Sequence, residues 1–345
     1  MHQTETIFVE QLSTEIFSKS KKIFLLADEN TAQFCFPKIK KSSSIKTIIF
    51  PAGEKHKNII TLTKIWEELA LNFADRNSLI INVGGGVVCD IGGFAAATYM
   101  RGISFIHVPT SLLAMADAAH GNKTGIDLLN YKNMIGVFAQ PDYVFIYPEF
   151  LKTLPKRELL SGWAEIVKHY IIADAAAFHN LWKENTQITS IANWQPILEK
   201  AIRIKQTITK RDPLEKNIRK TLNFGHTIGH AIESTFLNSN NNLLHGEAVA
   251  IGMLIETLIA EDLKLIQTEE AEKIYDVLTN TFEIRPKILP IAEIIKTMQH
   301  DKKNQNDVLQ FSLPNRIGNC LYNCEISEDN ILKAIEKYNE HYTTK

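Results

Sequence analysis

Apolar positions in the first half of the chain fall into short, nearly unbroken runs separated by longer stretches of helical period. The runs KIFLLAD (22–28), KTIIFPAG (46–53), SLIINVGGG (78–86), ISFIHVPT (103–110) and YVFIYPE (143–149) are rich in β-branched residues, as strands covered on both faces are. The stretch 58–73, NIITLTKIWEELALNF, repeats its apolar positions every three to four residues, which predicts an amphipathic helix. Strand, helix and strand in alternation predict a parallel sheet with right-handed crossovers. Beyond residue 155 the texture changes. Helical patterns cover 158–173, 191–211, 221–236, 246–263 and 268–280, and only 307–314 and 318–326 look extended. TLPKRELLSG (153–162) carries the breakers Pro155 and Gly162 and reads as a hinge region, while 237–247 is a polar loop. The pattern predicts an α/β class chain. An N-terminal Rossmann-like parallel-sheet domain over 1–155 precedes a mostly α-helical C-terminal domain over 156–345, with the active site in the cleft between them, where ligands of such folds sit.

Length and composition agree with that division. The chain has 345 residues, 45% of them hydrophobic, and domains run to about 100–200 residues each. With 38 basic and 39 acidic residues and no block of like charge, nothing suits nucleic acid or an anionic membrane, although a local anion pocket remains compatible. The four cysteines, Cys35, Cys89, Cys320 and Cys324, are scattered, and the close pair lacks the spacing of a redox or zinc motif. The N-terminus MHQTETIFVEQLSTEIF has neither the basic segment nor the apolar core of a signal peptide. No apolar run approaches the ~20 residues that span a bilayer. A soluble cytoplasmic protein with reduced thiols is expected.

The run INVGGGVVCDIGGFAAATYMRG places Gly84, Gly85 and Gly86 between a strand and a helix. Two readings are open: a tight turn, or a phosphate site where glycine lets the anion approach free N–H groups at a helix start. The spacing is neither GxGxxG nor a P-loop. Asp90, one turn in, suits a cap or a hydrogen bond to a ribose or an amide. Strand ends carry further polar residues, Asp28 in LADEN and Glu54 and Lys57 in PAGEKHK, and acidic residues at such places hold ribose hydroxyls in nucleotide folds.

Cationic and metal-like residues follow. AMADAAHGNKTGIDLLNYKNMIG holds Asp117, Lys123, Lys132 and Asn133 among small residues, suited to an anion clamp or to an exposed loop. Glu165 and Lys168 in SGWAEIVKHYII share one face of an apolar helix. A buried carboxylate there needs a partner, either Lys168 or a metal. LNFGHTIGHAIES puts His226 and His230 four positions apart on one helical face, and LLHGEAVAIGM adds His245. Three histidines and a buried glutamate offer the three protein ligands that a catalytic divalent metal takes. Lys205, Arg219 and Asn223 lie nearby in sequence, and Arg219 and Asn223 share a face that runs on into the histidines.

Together these stretches resemble the 3-dehydroquinate synthase family within the sugar phosphate cyclases. The resemblance runs through almost the whole chain, and SGWAEIVKH, RDPLEKNIRKTLNFGHTIGHAIES and HGEAVAIGM are its most specific carriers. It implies a homodimer that uses NAD and a divalent metal, zinc or cobalt, with a small-molecule sugar phosphate as substrate. The implied reaction converts 3-deoxy-D-arabino-heptulosonate 7-phosphate into 3-dehydroquinate and phosphate. It runs by transient oxidation with NAD, phosphate β-elimination, re-reduction, ring opening and intramolecular aldol closure, a lyase step of the shikimate pathway toward aromatic amino acids. The physical reason for the hydride detour is that a C–H beside an alcohol is not acidic, whereas a C–H beside a ketone is. By the resemblance, Glu165, His226 and His245 match the metal ligands. Arg101, Asp117, Lys123, Asn133, Lys168, Lys205, Arg219, Asn223, His230 and Lys303 (or its neighbour Lys302) match substrate positions. Lys123, Lys168, His230, Asn133 and Glu165 are the catalytic candidates. Asp28, Glu54, Lys57, Gly85, Gly86, Asp90, Thr110, Ser111, Lys132, Phe150, Leu151, Lys152 and Thr153 match cofactor positions.

This sequence departs from the family pattern at Cys89, where glycine is common, and at Ser111, where a second threonine is usual. Ala118 and Ala119 replace small polar residues, and His120 and Asn122 stand where the loop usually reads V-G-G-K. Another sugar phosphate cyclase, a metal- and NAD-dependent polyol dehydrogenase and a non-catalytic nucleotide-binding module are the competing readings. The cationic set favours a phosphorylated substrate over a polyol.

Overall fold

The computed structural model describes residues 4–13, 22–40, 45–129, 131–184, 188, 191–236, 242–282, 288–304 and 309–343, without the side chains of 131, 300–304, 342 and 343. It divides into two compact units, Met1–Pro155 and Lys156–Lys345.

In the first unit β1 (Glu5–Phe8), β2 (Leu12–Ser13), β3 (Ile23–Asp28), α1 (Glu29–Phe34), β4 (Ile39–Lys40), β5 (Lys46–Phe50) and α2 (Ile59–Leu71) lead to β6 (Leu79–Gly84). Then come α3 (Gly86–Thr98), β7 (Ser104–Pro109), α4 (Leu112–Ala116), the pair β8 (Lys123–Leu128) and β9 (Tyr131–Phe138), and β10 (Tyr143–Ile146). A six-stranded sheet in the order β1-β10-β7-β6-β3-β5 is parallel throughout. Its strands are the five apolar runs plus β1. β6 is buried along its full length because helices cover both faces, so its side chains have no polar face to show. Leu62, Ile65 and Leu69 of α2 and Val88, Ile91 and Ala95 of α3 pack with Phe24, Leu26 and Ile80 in one core. Local capping starts the helices at the strands' carboxyl ends: Asp28 accepts from Thr31 N at 2.7 Å, Asn58 from Thr61 N at 3.0 Å and Ser111 from Ala114 N at 3.2 Å. The antiparallel β8–β9 pair is not visible in the apolar pattern. Gly125 and Gly136 face one another there, and a Cβ on Gly136 would fall 2.3 Å from Thr124 O.

The second unit comprises α5 (Lys156–Ala173), α6 (Ala175–Glu184), α7 (Gln195–Arg211), α8 (His226–Phe236), α9 (His245–Asp262), α10 (Thr268–Thr281), α11 (Ile291–Asn304), β11 (Gln310–Arg316), β12 (Asn319–Glu325) and α12 (Glu328–Thr343). α9 is buried on nearly every face, from Ala248 to Ala260, and α5, α8, α10, α12 and β11 pack around it. α6, α11 and α12 exceed the expected helices. The helix expected over 221–236 is shorter: a 3-10 turn covers Ile218–Asn223, and α8 begins at His226. The cause is Gly225, whose φ of +78° breaks the helical path. Among the described residues no helix is long and apolar enough to cross a membrane. Part of the polar loop over 237–247, residues 237–241, lies outside the described residues.

Candidate functional site

In the first unit the glycine loop separates into two kinds of position. A Cβ on Gly84 would fall 2.3 Å from Val88 Cγ2, one on Gly92 2.0 Å from Asn82 Oδ1 and one on Gly93 2.5 Å from Thr124 Cγ2. Those glycines are demanded by packing. A Cβ on Gly85 or Gly86 would meet only ordinary contacts, Ser111 Oγ at 3.4 Å and Ala118 Cβ at 3.6 Å. Packing does not require glycine there, whereas a close ligand does. Gly85 is the N-cap of α3 and offers no side chain to its first-turn N–H groups, which leaves them for an anion. This donor set and open backbone fit a dinucleotide phosphate.

Beside it, Lys57 gathers an ionic cluster. Its amine, 3% exposed, lies 2.8 Å from Asp90 Oδ2, 3.6 Å from Glu54 Oε1 and 3.8 Å from Asp127 Oδ1. It donates to Asn133 Oδ1 at 2.5 Å. Burial disfavours the ammonium, but Asp90, Glu54 and Asp127 outweigh it and hold Lys57 above its ordinary range. Burial pushes Asp90 up, with Lys57 opposing. Lys132 joins through Glu54 at 3.6 Å. Asn133, with φ +55°, donates its N–H to Asp127 Oδ1 at 2.8 Å. The structure thus brings Glu54, Lys57, Asp90, Lys132 and Asn133 together. Asp127 escaped the sequence reading, because a single acid in a short strand looks like a solvated position.

The remaining first-unit residues occupy separate places. Asp28 caps α1. Thr110 is buried, and its N–H donates to Gly84 O at 2.9 Å. Ser111 caps α4, and Asp117 closes it. Lys123 opens β8 and is exposed. Arg101 is exposed in a turn of three positive φ values: +50° at Met100, +70° at Arg101 and +116° at Gly102. Phe150 and Leu151 are buried in a 3-10 turn, Thr153 donates to Phe150 O at 3.1 Å, and Lys152 pairs with Glu149 at 2.8 Å on the surface. Cys89 is buried inside α3. Asn122 has φ +53°, a left-handed conformation that asparagine, after glycine, tolerates best. His120 is buried, with Nε2 2.9 Å from Met115 O.

In the second unit Glu165 is fully buried on α5. Lys168, one turn on and 2% exposed, presses its amine against Oε2. Oε1 faces His226 Nε2 at 3.4 Å and His245 Nε2 at 3.3 Å and accepts no well-formed hydrogen bond among the described residues. The other ring nitrogens are engaged. His226 Nδ1 is 3.1 Å from Phe224 O and His245 Nδ1 is 3.4 Å from Glu233 Oε2. Each Nδ1–H therefore donates outward and turns the Nε2 lone pair inward. Burial would raise Glu165, but Lys168 and His226 hold its carboxyl well below the usual range. Burial opposes a charge on His245, yet Glu165 and Glu233 push it up to about 9, so a metal that takes its Nε2 lone pair displaces a proton there. The pocket calls for positive charge among three ligand atoms that lie within 4.8 Å of one another. A divalent cation satisfies all three at once, so these donors fit a metal.

Tight helix crossings hold the trio. A Cβ on Gly246 would fall 2.0 Å from Ser161 O, so α9 starts against α5. Arg157 of α5 donates to both carboxylate oxygens of Glu247 at 2.6 and 2.7 Å, and to Asn242 O at 2.7 Å, which pins the segment ahead of His245. His230 is exposed, its ring 5.2 Å from His226 and 5.8 Å from His245. Arg219 and Asn223 meet through Glu215: Asn223 Nδ2 donates to Oε1 at 3.1 Å, and Arg219 Nε lies 3.7 Å from Oε2. Lys205 is buried on α7. The side chains of Lys302 and Lys303 lie outside the described residues. Glu215, Glu233 and Glu256 were missed by the sequence reading. Glu256 had a signal, a lone carboxylate inside the apolar run AIGMLIETLIA.

Residues 47–161 match the model of the 3-dehydroquinate synthase N-terminal domain and residues 162–304 that of its C-terminal domain. The chain belongs to the 3-dehydroquinate synthase family. It is 34% identical over 354 residues to the 3-dehydroquinate synthase of Parabacteroides distasonis, covering 99% of both chains. It is 42% identical over 300 residues to that of a Picosynechococcus species, covering 85% of this chain and 81% of the relative. Among solved structures, a 2-epi-5-epi-valiolone synthase from Streptomyces hygroscopicus with NAD+ and Zn2+ bound superposes with a TM-score of 0.87 at 23% identity, over 98% of this chain and 97% of that one. A 2-deoxy-scyllo-inosose synthase complexed with carbaglucose-6-phosphate, NAD+ and Co2+ gives 0.85 at 26% identity, over 96% of both chains. Family membership assigns the resemblance drawn from the motifs, and these neighbours share the fold.

Proposed function

We propose that the protein is a 3-dehydroquinate synthase, a carbon–oxygen lyase that turns 3-deoxy-D-arabino-heptulosonate 7-phosphate into 3-dehydroquinate and phosphate. The observation that carries the reading is the convergence of Glu165, His226 and His245 in a chain of this family. The 1–155 domain binds NAD through Gly85, Gly86 and the Lys57 cluster, and the 156–345 domain binds a divalent metal, zinc or cobalt. When bound, the metal supplies a Lewis acid at a substrate oxygen, and NAD supplies reversible hydride storage with no net oxidation.

The chain's own groups do the rest. Lys168 holds Glu165 in its ionised form and presents an amine to an anionic substrate. Lys205, Arg219 and Asn223 grip phosphate and carboxylate, with Glu215 setting the Arg219 fork. His230, exposed next to the ligand histidines, moves protons at a ring nitrogen whose ordinary pKa lies near working pH. Arg101, Asp117, Lys123 and Asn133 of the first unit match the remaining substrate positions of the family. We also propose a cytoplasmic homodimer. Met134, Val137 and Phe138 of β9 are exposed, an apolar surface that a second copy would cover.

The test supplies the heptulosonate phosphate with NAD and zinc or cobalt. Stoichiometric phosphate release without accumulating NADH supports the reading. Accumulating NADH identifies a dehydrogenase, and release only from a different sugar phosphate identifies another cyclase. Sedimentation velocity reads the dimer.

A further inference from the structure

Glu256 lies in the middle of α9 and is completely buried. Its two carboxylate oxygens reach across to α8: Oε2 accepts from Gly225 N at 2.6 Å and Oε1 from Ile228 N at 3.1 Å. Ile228 lies in the first turn of α8 and Gly225 immediately before it, so neither N–H has an intrahelical acceptor. Helices usually meet this need with a Ser, Thr, Asp or Asn at the preceding position. Here that position is Gly225, which has no side chain. It must be glycine, since its φ is +78° and a Cβ would fall 2.5 Å from Met253 Cγ. From the other side, a Cβ on Gly252 would fall 2.0 Å from Gly225 O. The backbone entering α8 is therefore wedged onto α9 and capped from it.

His226 sits between the two N–H groups that Glu256 holds. We infer that Glu256 is a positioning residue for the metal ligand His226, a helix cap supplied across the α8–α9 crossing, so that α9 contributes His245 directly and sets His226 through the backbone. The inference rests on the metal site proposed above. Among the described residues the titratable group that faces Glu256 is the Cys320 thiol of β12. The Glu256 carboxyl otherwise meets the backbone N–H groups of Gly225, Thr227 and Ile228, so its role runs through main-chain geometry. Glutamine in its place keeps one acceptor oxygen but turns an NH2 group toward an N–H donor, so one of the two bonds is lost.

The test loads wild type, Glu256→Gln and Glu256→Ala with Co2+ alone and records the visible d–d bands. Zn2+ affinity follows from competition with a chromophoric chelator. A changed Co2+ spectrum and a Zn2+ affinity about 10- to 100-fold weaker in Glu256→Ala, as for other groups that orient metal ligands, with an intermediate value in Glu256→Gln, support the assignment. A wild-type spectrum and affinity in both variants overturn it. If the alanine variant does not fold, the glutamine variant decides by the same two measurements. Failure of wild type itself to bind Co2+ or Zn2+ would instead sink the metal site, so the two failures are distinguishable.

Discussion

Glu165 Oε1 lies 3.3 Å from His245 Nε2 and 3.4 Å from His226 Nε2, although the three residues come from α5, α8 and α9. Lys168 supplies positive charge at Glu165 Oε2, and a cation held by Oε1 and the two Nε2 atoms would supply it on the other side. Chelator-treated protein is expected to gain thermal stability on adding Zn2+, by about 2.7 kcal/mol when free zinc reaches roughly a hundred times its Kd. His226→Ala and His245→Ala should lose that gain, retain no stoichiometric zinc by elemental analysis and fall to background turnover. A zinc-independent melting temperature in wild type would count against the site.

Lys57 is the common partner of Asp90, Glu54, Asp127 and Asn133. Replacing it by methionine keeps the stem and removes the charge, which leaves carboxylates crowded without compensation. Breaking a buried ion pair on one side costs about 3–5 kcal/mol. Asp90 is 21% exposed, so the lower end applies. Lys57→Met should shift the urea midpoint downward by that order and weaken NAD binding in equilibrium dialysis. A variant of wild-type stability and NAD affinity would remove Lys57 from both roles.

The parallel sheet was legible because strands covered on both faces leave short, nearly continuous apolar runs, as in Leu79–Gly84, set between stretches of helical period. A metal candidate of Glu165 with two of three histidines was legible because imidazoles in an apolar helix need an explanation; the choice of His226 and His245 came from the family resemblance. What the sequence hid depends on backbone geometry. The β8–β9 pair rests on Gly125 against Gly136 and on positive φ at Leu129 and Asn133, none of which appears as periodicity. Asn122 stands where the family loop has glycine, and its φ of +53° makes it a conformational stand-in for that glycine. Glu233 and Glu256 act on other residues' donors, so spacing alone gave them no partner.

The two kinds of glycine in the loop after β6 make opposite predictions. Gly84→Ala forces a Cβ to 2.3 Å from Val88 Cγ2. Overpacking of this kind costs about 1–3 kcal/mol or more, visible as a lowered urea midpoint. Gly85→Ala meets only Ser111 Oγ at 3.4 Å. That variant should therefore keep its stability while its NAD affinity falls, read by calorimetry. Wild-type NAD affinity in Gly85→Ala would show that the nucleotide does not approach this backbone.

His107, buried on β7, has Nδ1 3.3 Å from Asn82 Nδ2, whose amide donates to it. Burial, with the charge of His120 adding to it, depresses the imidazole from its ordinary 6.5 to about 3. The sign follows from which state holds the proton. Between those values the unfolded chain is protonated at this position and the folded chain is not, so acid favours unfolding. Stability owed to neutral His107 is complete above pH 6.5 and is lost as pH falls toward 3, at a limiting slope of about 1.4 kcal/mol per pH unit. His107→Gln keeps an acceptor for Asn82 and carries no titrating ring. Its urea midpoint, lower than wild type at pH 7, should fall less steeply on acidification, so that the difference between the two proteins narrows by pH 4. Parallel curves for the two proteins would show that His107 is already charged in the folded state or that its site admits water.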